Sequence, residues 1–266
     1  MSLSTRPLSA TLGVEVLGLN IAAPGESDAQ QLRDIFSQHH LLLIRNAPLS
    51  DEQHLQLTQL IGPVSTADAI MKDGRKFTHI SNVHADGRLP TGELLFHADH
   101  MFLDTPLRAI SLCALAVPSR GGETRYIDMA RAYRDLPREL QAEISGLRAR
   151  HVYDYAANRG SQAASTDNLS DQVDSAVHPL VWPHPETGEP ILFASRLFTV
   201  EIIGLPPDKG GALLQRLFDY VGARNDDYSH RWNVGDIIIW DNRILQHARN
   251  DFDPREKRAL RRIPIG

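Results

Sequence analysis

His97-Ala98-Asp99 and, much later, His247 at the end of the run Trp240 to His247 can bring two imidazoles and one carboxylate to a single ion. This ligand set holds a non-haem Fe(II) by one face and leaves the remaining coordination positions open. Open positions let a chelating co-substrate and O₂ meet on one metal, which a site closed by four protein ligands does not allow. In an extended segment residues i and i+2 project to the same side, so the spacing lets His97 and Asp99 converge. His247 must then return from a distant strand, which calls for a closed sheet or a sandwich. The triplet alone is a weak signal, because His-x-Asp arises by chance in a chain with twelve histidines. The same three ligands also suit a zinc hydrolase with a bound water, or a protein that binds metal without catalysis.

A second group of residues follows the last imidazole. Arg255 to Arg262 reads REKRALRR, locally basic enough for a nucleic-acid patch or a solvated strand. Strand parity gives a sharper reading. Arg258, Leu260 and Arg262 share one face, and Lys257, Ala259, Arg261 and Ile263 share the other. One face then aims two guanidiniums into a pocket, and their planar forked donors suit carboxylates. A register slip of one residue would put Arg261 in the place of Arg262. Asn82 ends a strand in Ile80-Ser81-Asn82-Val83, where it either touches a bound ligand or forms a turn. His100 should point away from Asp99 in an extended chain, and Asp241 with Arg243 should organise the turn before His247 or orient that ligand.

The elements that must position these groups are mixed, with strands carrying the motifs and helices between them. Ser27 with Gln30 and Ser50 with Gln53 form two capping-box signals, each opening a helix. Leu41 to Ile44 and Ala109 to Val117 read as buried strands, as does Ile237 to Trp240 after the turn Val234-Gly235-Asp236. Pro137 starts a further helix, and another spans roughly 208–221, where Leu213, Leu214, Leu217, Phe218 and Val221 repeat at helical spacing. The polar stretch 160–175 is a solvated loop or an active-site lid. This pattern suits a β-sandwich or jelly roll with helices packed outside, although an open sheet fits the pattern too.

Composition sets bounds that agree. The chain has 266 residues, 42% of them hydrophobic, enough for one sizeable domain over 1–266. A formal charge of −5 gives no reason to expect nucleic-acid binding over the whole surface. The single cysteine, Cys113, excludes an intramolecular disulfide, fits a buried core position and suits a reducing compartment. Met1 to Thr5 lacks a basic start followed by an apolar stretch, and no uncharged run is long enough to span a bilayer. A soluble cytoplasmic protein is expected, with homo-oligomerisation left open.

Several segments together resemble the taurine / 2,4-dichlorophenoxyacetate dioxygenase family of Fe(II)/2-oxoglutarate-dependent oxygenases. They are TLGVEVLGLNIA (11–22), LLLIRN (41–46), ISNV (80–83), FHADHMF (96–102), PSRGGETRYIDM (118–129), HPLVWPHPETGEPILF (178–193) and HRWNVGDIIIWDNRILQHARNDFDP (230–254). The resemblance implies a double-stranded β-helix (jelly-roll) core with flanking helices. It implies His97, Asp99 and His247 as iron ligands, and Arg258 with Thr124 as the holders of the distal carboxylate of 2-oxoglutarate. It also implies Arg262 as the partner of an anionic group on the primary substrate, with Asn82 a further candidate for contact with substrate or co-substrate. The expected reaction is hydroxylation of an unactivated C–H bond in a small carboxylate or sulfonate, with release of succinate and CO₂. Desaturation, cyclisation or C–heteroatom cleavage are alternative outcomes of the same cofactor chemistry. Members of the taurine type carry Trp where this chain has Phe96, so taurine specificity does not carry over.

Overall fold

Leu41-Leu42-Leu43-Ile44 and Ile237-Ile238-Ile239-Trp240 are apolar at every position, a pattern satisfied by strands covered on both faces. Both are central strands in the computed structural model, which describes residues 2–21, 24–66, 76–154, 173–225 and 227–266. The first half of the chain forms β1 (Ser4–Pro7), β2 (Val14–Leu17), α1 (Glu26–His39), β3 (Leu41–Ile44), α2 (Asp51–Gln59), β4 (Thr78–Ser81), β5 (Leu94–His97), β6 (Ala109–Ala116) and β7 (Thr124–Asp128). The second half forms α3 (Met129–Arg134), α4 (Arg138–Ile144), β8 (Arg148–Asp154), β9 (Val173–Pro179), β10 (Val181–Pro183), β11 (Pro190–Leu192) and β12 (Thr199–Ile202). It closes with α5 (Pro207–Ala223), β13 (Tyr228–His230), β14 (Ile237–Asp241), β15 (Leu245–Arg249) and β16 (Ala259–Ile265).

The fold is mainly β. A seven-stranded sheet runs β1-β2-β3-β14-β6-β16-β4, and a four-stranded sheet runs β13-β7-β15-β5. Only the β2–β3 pairing is parallel in these two sheets. The period-2 alternation of the large sheet explains its two apolar faces. Leu42, Ile44, Cys113, Ile237 and Ile239 pack outward with Leu32 and Phe36 of α1 and Leu57 of α2. Leu41, Leu43, Ile110, Leu112, Ile238 and Trp240 pack inward, in one core with Tyr126 and Leu245 of the small sheet. A cavity forms between the sheets, where polar residues interrupt this inner face.

The expected helices form, with one change at a start. Ser50 and Gln53 exchange the two hydrogen bonds of a capping box: Gln53 N–H donates to Ser50 Oγ (3.2 Å) and Ser50 N–H to Gln53 Oε1 (3.0 Å). The box expected at Ser27 and Gln30 does not form. Helix α1 starts earlier, because the Asp28 carboxylate accepts from Gly25 N–H (2.9 Å), which places Ser27 inside the first turn. Of the polar stretch 160–175, residues 160–172 lie outside the described residues. Val173, Asp174 and Ser175 belong to strand β9, paired with Asp154, Tyr153 and Val152 of β8. Among the described residues no helix is long and apolar enough to cross a membrane.

Candidate metal and anion site

Two cross-strand rows on the inner face of the small sheet carry the site. Tyr228, Tyr126, His247 and His97 lie side by side across β13, β7, β15 and β5. The next row holds His230, Thr124 and Arg249. Directly paired residues project to the same side, so the sheet itself brings His97 and His247 together across 150 residues of chain. Their ring centroids are 4.3 Å apart.

Asp99 completes the trio by a route the spacing did not anticipate. Strand β5 ends at His97, and Asp99 sits in the turn that follows, where His100 adopts a left-handed φ of 61°. The extended i, i+2 geometry is thus replaced by a turn, and His100 lines the cavity instead of pointing away. Asn242 holds that turn. Its Oδ1 accepts from Asp99 N–H (2.8 Å), and its Nδ2 donates to Asp99 O (2.9 Å) and Leu107 O (3.0 Å). The result places Asp99 Oδ1 3.3 Å from His97 Nε2 and 3.8 Å from His247 Nε2. One ligand atom from each of the three residues lies within 4.8 Å of the others, so the group could hold a metal ion.

The protonation pattern suits a cation. His97 Nδ1 lies 2.7 Å from Leu95 O, which can only accept, so Nδ1 is a donor and Nε2 is the ring nitrogen that faces Asp99. Burial, and then His97, push the His247 imidazolium down to about 3, leaving a neutral ring. Burial alone would raise the Asp99 carboxyl. Arg262, whose Nε and Nη2 donate to Asp99 Oδ2 at 3.0 and 2.6 Å, with the two histidines, holds it well below the usual carboxylate range instead. Asp99 Oδ2 is thereby engaged and Oδ1 faces the two imidazoles.

The trio opens on a cavity of about 640 Å³ lined from both sheets. At one side Arg258 is 2% exposed, and its Nε and Nη2 donate to Gly122 O at 3.3 and 3.1 Å. Its Nη1 is buried with no hydrogen-bond partner. Burial, and then neighbouring Arg249, push the guanidinium down to about 9. A buried cation without a carboxylate partner among the described residues is costly unless an anion meets it. Gly122 allows this placement: its φ is +70°, and a Cβ there would lie 3.0 Å from Arg258 Nε. Thr124 Oγ1 accepts from Trp232 Nε1 (2.9 Å), which leaves the hydroxyl hydrogen available to donate.

The remaining sequence candidates separate clearly. Arg258, Leu260 and Arg262 all line the cavity, as strand parity expected. Arg261 points to the opposite face, where its Nε donates to His54 Nδ1 (3.0 Å) and its guanidinium pairs with Asp51. The expectation for Asn82 is corrected. It is absent from the cavity lining and instead accepts from Arg258 N–H (2.9 Å) and donates to Glu256 O (2.7 Å). A turn needs its backbone groups satisfied, and Asn82 does this for the segment that carries Arg258. Asp241 bonds Arg243 through both carboxylate oxygens and His184 through Oδ2 (3.2 Å), organising the turn before β15.

Two residues escaped the sequence reading. Asn242 is fully buried, and its only signal was a polar residue between the apolar strand and His247. Arg249, 3% exposed, donates to the carbonyls of Leu89, Thr91 and Gly92 at 2.6–3.0 Å and lines the cavity. Replacing Asn242 with alanine frees the Asp99 turn while leaving every ligand atom in the sequence. Loss of such a supporting partner is expected to weaken binding of a metal ion at this trio by about 10–100-fold, read by competition with a metal chelator.

Comparison with known proteins agrees with this geometry. The family described as "Taurine catabolism dioxygenase TauD, TfdA family" matches residues 4–263. The alpha-ketoglutarate-dependent 2,4-dichlorophenoxyacetate dioxygenase of Cupriavidus pinatubonensis is 32% identical over 284 residues, spanning 98% of this chain and 97% of that protein. The (S)-phenoxypropionate/alpha-ketoglutarate-dioxygenase of Sphingobium herbicidovorans is 31% identical, over 96% of this chain and 91% of its own. The structure of a taurine dioxygenase from Burkholderia xenovorans superposes with a TM-score of 0.79 at 28% identity, covering 100% of this chain and 91% of the other. Since the matched span takes in both sheets and the whole cavity between them, the chain belongs to the taurine catabolism dioxygenase TauD, TfdA family.

Proposed function

We propose that this enzyme is an Fe(II)- and 2-oxoglutarate-dependent dioxygenase that hydroxylates a C–H bond of a small anionic organic substrate. The observation that carries the reading is the pairing of two features in one cavity. One is a His, Asp, His cluster with convergent acceptor atoms, and the other is a buried arginine whose Nη1 lacks a partner. A zinc hydrolase needs the first and has no use for the second. The facing sheets support a double-stranded β-helix as the core of one domain over 1–266.

In this reading His97, Asp99 and His247 hold the iron, and Arg258 with the Thr124 hydroxyl receives the distal carboxylate of 2-oxoglutarate. Iron, 2-oxoglutarate and O₂ together supply an oxidant for the C–H bond, with succinate and CO₂ as co-products. The chain supplies placement. Asn242 fixes the Asp99 turn, Arg262 keeps that carboxylate ionised and oriented, and Leu112, Trp240 and Leu260 exclude water from the cavity wall.

The test is an anaerobic titration of the apoprotein with Fe(II) and 2-oxoglutarate, followed through the weak visible charge-transfer absorption of the chelate. Growth of the band with both additions is the expected result. No band, with zinc retained after purification, would turn the reading toward hydrolysis or metal binding.

A further inference from the structure

Phe252 is a buried phenylalanine that stands apart from the apolar clusters of the fold. It belongs neither to the cores on the two faces of the large sheet nor to the cluster built on Phe102, Phe193 and Phe198. Its ring meets two cations instead. Arg249 Cζ lies 5.6 Å from the ring centroid and Arg258 Cζ 5.8 Å from it, both within cation–π reach. Both arginines are buried, where the negative face of a ring attracts a cation more strongly than at an exposed site. Neither forms an ion pair with a carboxylate among the described residues; their bonds go to backbone carbonyls.

The backbone fixes this ring beside the loop that already holds Arg258. Phe252 forms a bridge with Gly121, Gly122 N–H donates to Asp251 O (3.2 Å), and Asn250 N–H donates to Glu123 O (3.0 Å). The two segments approach so closely that a Cβ on Gly121 would lie 2.3 Å from Asp251 O and 3.1 Å from Phe252 Cα. Gly122 O, the acceptor for Arg258 Nε and Nη2, therefore moves as one unit with the Phe252 ring. The carbonyl takes two N–H groups of the guanidinium, the ring takes its charge, and Nη1 is left without a partner. Arg249 and Arg258 repel each other, and a ring over which both guanidiniums lie offers each an attraction that offsets this.

We propose that Phe252 is a positioning residue of the co-substrate subsite: its ring holds the Arg258 guanidinium against the repulsion of Arg249, so that Nη1 stays presented to the distal carboxylate. The proposal rests on the dioxygenase reading above. Phe252 is absent from the cavity lining, so it acts on the co-substrate through Arg258 and not by contact.

The experiment measures the 2-oxoglutarate affinity of the Fe(II)-loaded enzyme under anaerobic conditions, through the charge-transfer band. Phe252 is replaced by mono-, di- and trifluorinated phenylalanine, which keep the shape of the ring while draining negative charge from its face. Affinity is expected to fall stepwise with each fluorine, and Phe252→Leu should weaken it about tenfold. In Arg258→Gln the fluorine dependence should vanish, because the group that senses the ring is gone. Fe(II) affinity without co-substrate, read by chelator competition, should be the same in every variant. A fluorinated series that binds 2-oxoglutarate at the wild-type level overturns the proposal and leaves Phe252 as packing. So does a fluorine dependence that survives in Arg258→Gln, or one matched by a parallel loss of Fe(II) affinity. Absence of the band in the wild type is a different failure, since it removes the dioxygenase reading itself.

Discussion

His247→Ala is expected to abolish the charge-transfer band at Fe(II) concentrations that saturate the wild type, and with it succinate production. Structural four-ligand zinc sites are worth about 10–16 kcal/mol in total, so one imidazole contributes roughly 3 kcal/mol, on the order of 10²-fold in affinity. Three-ligand iron sites start weaker, so the same loss empties them more completely. Fold disruption is a poor alternative explanation for such a result. His247 is paired within β15 through its backbone and its side chain faces the cavity, so alanine leaves the strand pairing intact and gives up, on the large sheet, only the ring contact with Trp240 at 4.9 Å between centroids. Near-wild-type far-UV circular dichroism together with a vanished band is therefore the expected pair of observations. A band of wild-type intensity in His247→Ala would show that the ion is held elsewhere.

Arg258→Gln is expected to raise the KM for 2-oxoglutarate by roughly 30-fold or more while kcat at saturation changes far less. Truncating one partner of a buried, hydrogen-bonded charge pair costs about 2–5 kcal/mol, and the partner here is the ligand's own carboxylate. The stability signature runs the other way. The unliganded enzyme carries Arg258 as a buried cation with Nη1 unpaired, so replacing it should leave Tm unchanged or raise it. The Tm gain on adding 2-oxoglutarate should then shrink, because binding stabilises by mass action and the variant binds less. A lowered unliganded Tm with an unchanged KM would mean that Arg258 is a packing residue.

Much of this architecture is legible from patterns of one or two residues. Unbroken apolar runs at Leu41 to Ile44 and Ile237 to Trp240 announce doubly covered strands, and both are central. Parity sorts Arg258, Leu260 and Arg262 from Arg261 because β16 keeps its own alternation. The irregularity against β6 between Ala259 and Leu260 is taken up by the partner strand, which passes from Ala116 to Ala114. Local rules fail where a distant group takes over. The extended reading of His97 to Asp99 lost to a turn, because Asn242, 143 residues away, supplies hydrogen bonds that a strand would have made with a neighbour. Asn82 looked like a ligand contact, and its amide is consumed by the segment before β16. Arg262 faces the cavity as parity expected, and its bonds to Asp99 are a contact that its spacing does not announce. Each of these outcomes depends on a partner remote in sequence, and spacing alone carries no information about such partners.

Arg249 has a consequence for how this enzyme can change. It lies two residues after His247 and ties the segment 89–92 to the strand that carries His247, through main-chain carbonyls alone. Side chains in that segment are thus not needed to hold it in place, apart from the left-handed backbone at Leu89 and Gly92. Substitutions at Pro90 and Thr91, both in the cavity lining, can alter what enters while the strand behind them keeps its register. The rim is free to diverge on an anchor that does not read its sequence. Selection or laboratory evolution for new substrates should accumulate changes there first and spare Arg249.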